Sequence, residues 1–201
     1  MNFNEFKNLL SSIAEPIVLL EGSRDVKDEH GKKLVEFAAK LASVFPTAVF
    51  RSGDAIGSDS AFAEGVNKIN ASRLQLVLPN DRKVKTQNQE TRVSLEQLPP
   101  REKSKLIELT KRATPANKPL IEFYEKGLDG RARYQAQYLI RDTLKVAGSK
   151  KFKLHSATVG CFYVNSTKAT GGGTGHTIRV CEQLNVPTVT QADWFQWLEV
   201  V

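Results

Sequence analysis

The segment PIVLLEGSR, residues 16–24, begins the pattern that predicts the fold. A continuous apolar run at 17–21 that stops at glycine is typical of a strand buried on both faces, as in a parallel sheet. Residues 28–46 then place apolar side chains near the helical period and close at Pro46. The first unit is therefore predicted to be a strand followed by a helix.

The same unit recurs along the chain. Beyond the first unit we expect strands at 47–50, 74–78, 157–164 and 186–190, helices beginning near Ser58 or Asp59, over 131–148 and ending near Leu184, and a short amphipathic helix at the start. Strands that alternate with helices through short Gly-bearing turns indicate right-handed βαβ crossovers. The predicted fold class is α/β, a Rossmann-like three-layer α/β/α arrangement with a mainly parallel sheet of five or more strands.

Residues 80–129 interrupt this alternation. They contain two prolines at 99–100, a helix-like piece at 101–112 and no strand of comparable length. The 201 residues suffice for one well-buried domain. We therefore predict a single domain, 1–201, with a charged and partly mobile insertion, 80–129, over one edge of the sheet.

Composition excludes several classes of protein. Apolar residues make up 40% and charged residues 25%, which is ordinary for a soluble globular chain, and no apolar run approaches the roughly 20 residues of a membrane span. We expect a cytoplasmic protein without a membrane partner. Cys161 and Cys181 are interpreted as buried free thiols, and the scattered His30, His155 and His176 indicate no zinc site. No cofactor is predicted.

The positive charge is concentrated in one segment. The net charge is +7, and residues 81–118 carry ten Lys or Arg against five Asp or Glu. Two interpretations are open for this segment: a solvated charged insertion, or a surface that tracks the phosphates of single-stranded nucleic acid while Phe123 and Tyr124 stack on bases.

Three predicted loops leave the carboxyl ends of strands, where open parallel sheets bind ligands. Their small and polar residues are our candidate binding residues. They are Gly22, Ser23 and Arg24 in the first loop, Ser52, Gly53, Gly57, Ser58 and Asp59 in the second, and Gly171, Gly172, Gly173, Thr174, Gly175 and Thr177 in the third.

The third loop is the most informative. A helix that starts near Thr174 or Gly175 would present its free amides and positive dipole end to a phosphate, with glycines before it that allow close approach. Thr174 and Thr177 would add hydroxyl donors, and His176 could act near a reacting centre. The other interpretation is a tight turn with Thr174 as N-cap. The loop is neither a Walker A motif nor a G-x-G-x-x-G after the first strand, so NAD bound in the usual manner is not predicted.

The first two loops suggest further phosphate and sugar contacts. Arg24 could clamp a phosphate, or pair at the surface with Asp25 or Asp28. Gly53 and Gly57 would permit close approach of a ligand. Ser58 or Asp59 would cap the following helix, and a remaining carboxylate could accept ribose hydroxyls.

Together the three loops, Gly-Ser-Arg, SGDAIGSD and Gly-Gly-Thr-Gly, resemble the SLOG superfamily of Rossmann-like nucleotide-binding proteins, which includes DNA-processing protein A and the Lonely Guy phosphoribohydrolases. The resemblance covers 17–78 and 131–190. It implies a nucleotide or nucleotide-derived ligand held by the first and third loops. Members are often dimers, which implies a homodimer here.

The resemblance also bears on catalysis. The YLIRD segment is similar to the one in which Lonely Guy enzymes keep a functional arginine, which would be Arg141 here. Those enzymes place a catalytic glutamate where this chain has Arg179, so the same glycosidic hydrolysis is not implied. Asp142, Glu21 or Asp54 could supply a carboxylate instead, and the sequence selects none of them. As an enzyme, a nucleotide-processing hydrolase or transferase, the protein would act on a ribosyl or phosphate group, with Arg141 and with His176 or Asp142 as acid or base.

The function expected from the sequence is therefore binding of a nucleotide or other phosphorylated small molecule, as a sensor or as an enzyme. The alternative is a single-stranded nucleic-acid-binding module that uses 81–118. The C-terminal Trp194, Phe195 and Trp197 suggest either a dimer surface or a cap on the core.

Overall fold

The computed structural model describes residues 1–81, 89–165 and 171–199. Its strands are β1 Ile17–Gly22, β2 Val49–Ser52, β3 Leu74–Leu78, β4 Thr91–Ser94, β5 Val159–Tyr163 and β6 Thr188–Thr190. Its α-helices are α1 Phe3–Ser11, α2 Asp28–Val44, α3 Ser58–Asn70, α4 Pro100–Ala113, α5 Lys118–Glu125, α6 Arg131–Ala147, α7 Gly172–Gln183 and α8 Gln191–Trp197. The strands form one parallel sheet in the order β4-β3-β2-β1-β5-β6.

Helices cover both faces of this sheet, so the predicted three-layer Rossmann-like fold is confirmed. One face packs against α1, α2, α3 and α8, and the other against α4, α5, α6 and α7. Strand β1 shows why its apolar run is continuous: Val18 and Leu20 pack on the face covered by α1, α2, α3 and α8, whereas Leu19 packs on the opposite face, against α7. A strand buried on both faces has no position left for a solvated side chain.

Strand β2 begins two residues later than predicted. Its register starts at the pair Ile17 and Val49, because the chain first closes a turn in which the Ala48 amide donates to the Phe45 carbonyl. Thr47 lies exposed in this turn rather than in the strand.

The prediction that 80–129 contains no comparable strand was wrong. Strand β4, with the sequence TRVS, pairs in parallel with β3 at the edge of the sheet. Its polar composition hid it, because only its last two residues are buried. Helices α4 and α5 bury Leu106, Ile107 and Ile121 against α6 and so complete the second helix layer. Residues 82–88 of this segment lie outside the described part.

The C-terminal aromatic residues belong largely to the core. Trp194 and Trp197 are buried, and the Trp194 ring stacks on Phe37 with centroids 4.4 Å apart. Cys161 and Cys181 are buried free thiols, as the sequence indicated, and burial raises the pKa of both. Over the described ranges, no helix has the length and apolar content needed to cross a membrane.

Candidate functional site

The sheet order reverses at β1, which has β2 on one side and β5 on the other. This is the topological switch point at which open α/β sheets bind ligands. A cleft of about 920 Å³ lies at the carboxyl ends of these strands, a volume in the range of small-molecule sites. The three loops singled out in the sequence meet here.

Most of the predicted binding residues line this cleft. They are Gly22, Ser23, Arg24, Asp59, Gly171, Gly172, Gly173 and Thr174, together with Arg141 and Asp142 of α6. Glu21, a candidate carboxylate, also lines the cleft, and the structure adds lining residues that the sequence did not indicate, among them Asn117, Arg131, Tyr134, Gln135 and Tyr138.

Helix α7 starts earlier than predicted, at Gly172, with Gly171 as the N-cap residue. The first intrahelical bond runs from the Gly175 amide to the Gly171 carbonyl, so the amides of the first turn point out of the helix end. Gly172 has φ +66°, a conformation that favours glycine, and right-handed helical residues follow it. Such a change of hand directs successive N–H groups into one anion-binding concavity. The preceding residues, 166–170, lie outside the described part.

The first loop is pinned to β5. The Ser23 amide donates to the Tyr163 carbonyl at 2.8 Å, and a Cβ on Gly22 would lie 2.2 Å from the same oxygen. Arg24 then extends over the ring of Tyr138, with its guanidinium carbon 5.5 Å from the ring centroid. The loop therefore holds a cation at the wall of the cleft.

Asp59 joins the first two loops instead of capping α3. Its carboxylate accepts hydrogen bonds from the Gly22 amide at 3.3 Å and the Gly53 amide at 3.1 Å, and the N-cap residue of α3 is Gly57. Burial raises the pKa of Asp59, and the charge of Asp142 acts in the same direction.

The glycines of the second loop make room for neighbouring groups of the same chain and do not line the cleft. A Cβ on Gly53 would lie 1.6 Å from Nη1 of Arg141, which donates to the Gly53 carbonyl. Gly57 has φ +87°, and a Cβ there would lie 2.3 Å from the Arg24 carbonyl oxygen. The prediction that these two glycines let a ligand approach is corrected accordingly.

The two serines of this loop are also structural. Ser58 is buried, and its amide and hydroxyl both donate to the Ser23 carbonyl, at 3.1 and 2.6 Å. Ser52 is buried in β2. Neither serine lines the cleft, so neither is retained as a ligand contact.

Beneath the cleft lies a buried group of charged side chains, which we call the charge cluster: Glu21, Asp59, Arg141, Asp142 and Lys145. Lys145 Nζ lies 2.5 Å from Glu21 Oε2 and 2.9 Å from Asp142 Oδ1. Arg141 Nε lies 3.1 Å from the same Asp142 oxygen. Three carboxyl groups thus face two cations.

This imbalance sets the protonation of the cluster. Burial raises the pKa of Glu21 to about 7, although Lys145 acts to lower it. Burial also acts to raise the pKa of Asp142, but Arg141 and Lys145 outweigh it and hold this pKa below its usual value. Because one carboxyl exceeds the available cations and burial raises the pKa of both Glu21 and Asp59, we expect one proton to reside on Glu21 or Asp59 and Asp142 to be the ionised group at the cleft.

His176 does not reach the cleft. It is fully buried, and its Nδ1 lies 2.7 Å from the Thr114 hydroxyl, while Nε2 lies 3.1 Å from both the Leu139 carbonyl and the Thr143 hydroxyl. The carbonyl can only accept, so Nε2 carries the proton and Nδ1 accepts from Thr114. His176 joins α7 to α4 and α6, and it is not retained as an acid or base.

Two more predicted ligand contacts of the third loop turn inward. Gly175 is buried within α7. The Thr177 hydroxyl lies 2.8 Å from Glu21 Oε1 and 3.0 Å from the Gly173 carbonyl. Thr177 therefore supports the charge cluster from below.

The environment of His176 predicts a pH-dependent stability. Burial lowers its pKa to about 4, below the value near 6.5 of an unfolded chain. The imidazole therefore contributes stability that is complete above pH 6.5 and is lost as the pH falls toward 4, on the order of 2 kcal/mol by pH 4.5. Urea unfolding at pH 7.5 and 4.5 should show this loss in the wild type and not in His176→Gln. Equal pH dependence in the two proteins would contradict the assignment.

The basic 81–118 segment contributes little to the cleft. Among its described residues, Asn117 alone lines it. The first turn of α4 contacts the hairpin that precedes β5, where the Ser149 hydroxyl donates to Glu102 at 2.6 Å. This end of α4 therefore lies near the amino ends of the strands, away from the cleft. Tyr124 is partly buried against the apolar cluster of α4, α5 and α6 rather than standing free to stack on bases.

In the described part of the chain, no group of three or more His, Cys, Asp or Glu side chains is arranged to hold a metal ion. The α7 amides and Arg24 are suited to bind an anion. The carboxyl groups of the charge cluster, which form the floor of the cleft, can accept hydrogen bonds.

Comparison with known proteins adds one finding. No protein-family model and no curated protein matches this chain. The chain is similar to DNA processing protein A from Helicobacter pylori. The two are 16% identical, the match covers 91% of this chain and 67% of that one, and the TM-score is 0.47. That structure was described for its mode of binding single-stranded DNA.

The lining residues that the sequence did not indicate lie mostly on α6. The sequence also did not indicate Lys145 of the charge cluster, which occupies a buried position of the amphipathic helix RARYQAQYLIRDTLKVA beside the predicted Arg141 and Asp142. Charged residues on an apolar face were the available signal, because buried charges require partners. Tyr134 and Tyr138 gave no comparable signal.

Proposed function

We propose that this protein binds a nucleotide or a nucleotide derivative at the switch-point cleft. The observation that carries the proposal is the convergence of the outward amides of α7 and the Arg24 guanidinium on one cleft. Backbone N–H groups and a guanidinium are the donors that bind phosphate in proteins.

The acidic floor of the cleft supports a nucleotide over a free phosphate ion. Carboxylates such as Asp142 repel phosphate but accept hydrogen bonds from sugar hydroxyls, as an acidic residue does toward ribose in dinucleotide-binding folds. A ligand with a phosphate at one end and a ribose beside it satisfies both halves of the cleft. For a reaction at the ribosyl or phosphate group, Asp142 and Glu21 are the acid and base candidates in place of His176.

Calorimetric titration with ribose 5-phosphate, nucleoside 5′-phosphates and oligothymidylate tests this proposal. Binding of a phosphorylated compound is expected, and Arg24→Ala should weaken it about 10-fold or more because a charge-assisted hydrogen bond contributes about 1.5–3 kcal/mol. Oligothymidylate is included because a single strand offers the same phosphates, sugars and bases.

Lys27→Ala is the matched control, since it removes an exposed positive charge three residues away that does not line the cleft. Equal weakening by the two substitutions would indicate a nonspecific charge effect. Failure of every phosphorylated compound to bind the wild type would refute the proposal.

A further inference from the structure

The outer half of the cleft has a different chemistry from its floor. Helix α6 presents Arg131, Tyr134, Gln135, Tyr138 and Asp142 to the cleft. Their spacing of three and four residues places them along one face of the helix. The side chains change along this face from a carboxylate, through two aromatic rings, to a guanidinium.

Helix geometry gives this face a scale. Asp142 lies at the level of the first-turn amides of α7, because a Cβ on Gly173 would be 3.0 Å from Asp142 Oδ2. With a rise of 1.5 Å per residue, Tyr138 lies about 6 Å and Tyr134 about 12 Å farther along the helix axis. A ligand anchored at the amides therefore reaches Tyr134 only if it is longer than a phosphate or a sugar phosphate.

The two tyrosines differ in what their faces contact. The Tyr138 ring has the guanidinium groups of Arg24 and Arg141 near it, each 5.5 Å from its centroid. This ring is therefore engaged in positioning two cations. Tyr134 is 57% exposed although it lines the cleft, so its ring is available to a ligand.

Polar groups beside Tyr134 can read the edge of a planar ligand. Gln135, which follows Tyr134 on α6, and Asn117, which precedes α5, also line the cleft. Each carries an amide with both donors and an acceptor, the combination that pairs with nucleobase edges. An aromatic face with amides at its side matches a nucleobase better than it matches a second phosphate.

We propose that Tyr134 is the nucleobase platform of the cleft, with Gln135 and Asn117 at the base edge. The inference rests on the proposed function and deepens it: the ligand class is a nucleotide whose base contributes to affinity, free or as one unit of a strand. Ribose 5-phosphate, which lacks the base, serves as the probe for the phosphate site alone.

The test compares adenosine and uridine 5′-monophosphates with ribose 5-phosphate on the wild type, Tyr134→Ala and Tyr134→Phe. Base stacking on an aromatic side chain contributes about 1–3 kcal/mol, so Tyr134→Ala should weaken nucleotide binding roughly 5- to 150-fold. Binding of ribose 5-phosphate should be unchanged, and Tyr134→Phe should retain the nucleotide affinity because it keeps the ring. Since the side chain is more than half exposed, the melting temperatures should be similar.

The outcomes separate this inference from the proposed function. Equal affinity for ribose 5-phosphate and both nucleotides, or no effect of Tyr134→Ala on their ratio, would overturn the base platform and leave the phosphate site standing. Loss of all binding in the wild type would overturn both. Binding of oligothymidylate with the same dependence on Tyr134 would support the platform and identify a strand as the source of the base.

Discussion

Replacing Lys145 by methionine is expected to lower the free energy of unfolding by about 3–5 kcal/mol. Lys145 is 1% exposed and lies 2.5 Å from Glu21 and 2.9 Å from Asp142. Its removal leaves the three buried carboxyl groups of the charge cluster with Arg141 as their cation. Removing one partner of a buried ion pair is costly because the remaining charge has neither water nor a counterion.

Thermal and urea unfolding measure this effect. At this chain length the loss corresponds to a melting temperature lower by about 6–20 °C. The surface variant Lys68→Met is the control, because Lys68 is 57% exposed and its pair with Glu64 contributes little.

A double substitution distinguishes charge from packing. Adding Glu21→Gln to Lys145→Met removes one of the three carboxyl groups that compete for Arg141, so the double variant should recover part of the lost stability. A double variant that is less stable than Lys145→Met by the full cost of Glu21→Gln alone would show that the two groups do not interact. A Lys145→Met protein as stable as Lys68→Met would contradict the role of the cluster.

Replacing Arg51 by methionine is expected to cost about 3 kcal/mol or more. Arg51 is fully buried in β2, and its guanidinium donates to three neutral oxygen atoms, the Lys145 and His155 carbonyls and the Gln75 amide, at 2.8–2.9 Å. Methionine preserves much of the volume but leaves the buried Lys145 carbonyl and two partly buried acceptors without donors, and a fully buried acceptor left unpaired costs about 1–3 kcal/mol.

Denaturant unfolding at pH 7 measures this loss. Burial lowers the pKa of Arg51 to about 10, so its guanidinium is still charged at that pH. Arg51→Lys should be intermediate, because its ammonium can donate to some of the same acceptors. Arg101→Met, at an exposed position of α4, is the control and should change stability by less than about 0.5 kcal/mol. An Arg51→Met protein within that margin would show that the network contributes nothing net.

The location of the site followed from local sequence patterns. A continuous apolar run at β1 requires a strand buried on both faces, and parallel strands bring their following loops to one edge of the sheet. The meeting of the 22–24 loop with the glycine loop before α7 was therefore predictable without coordinates. The buried strand and the position of its loop both follow from residues that are neighbours in sequence and from the spacing of apolar residues along the chain.

Other features depended on partners distant in sequence. Strand β4 is too polar to stand out, and it forms because β3 offers it an unpaired edge. Gly53 and Gly57 look like ligand-binding glycines, yet Arg141 and the Arg24 backbone fill the space beside them. The spacing of residues along the sequence does not show which distant group will pack beside a glycine.

The contrast between His176 and its neighbours shows the same limit at the site. The sequence by itself determined the parallel α/β fold, the switch-point edge and the presence of the glycine loop there, although α7 starts at Gly172, earlier than predicted. Only the tertiary structure decided that His176 turns into the helix layer, that Asp142 faces the cleft above Lys145, and that Tyr134 lies exposed at the wall of the cleft. Residues adjacent in sequence point in different directions on a helix, and their pKa values and contacts are set by whichever elements pack against them.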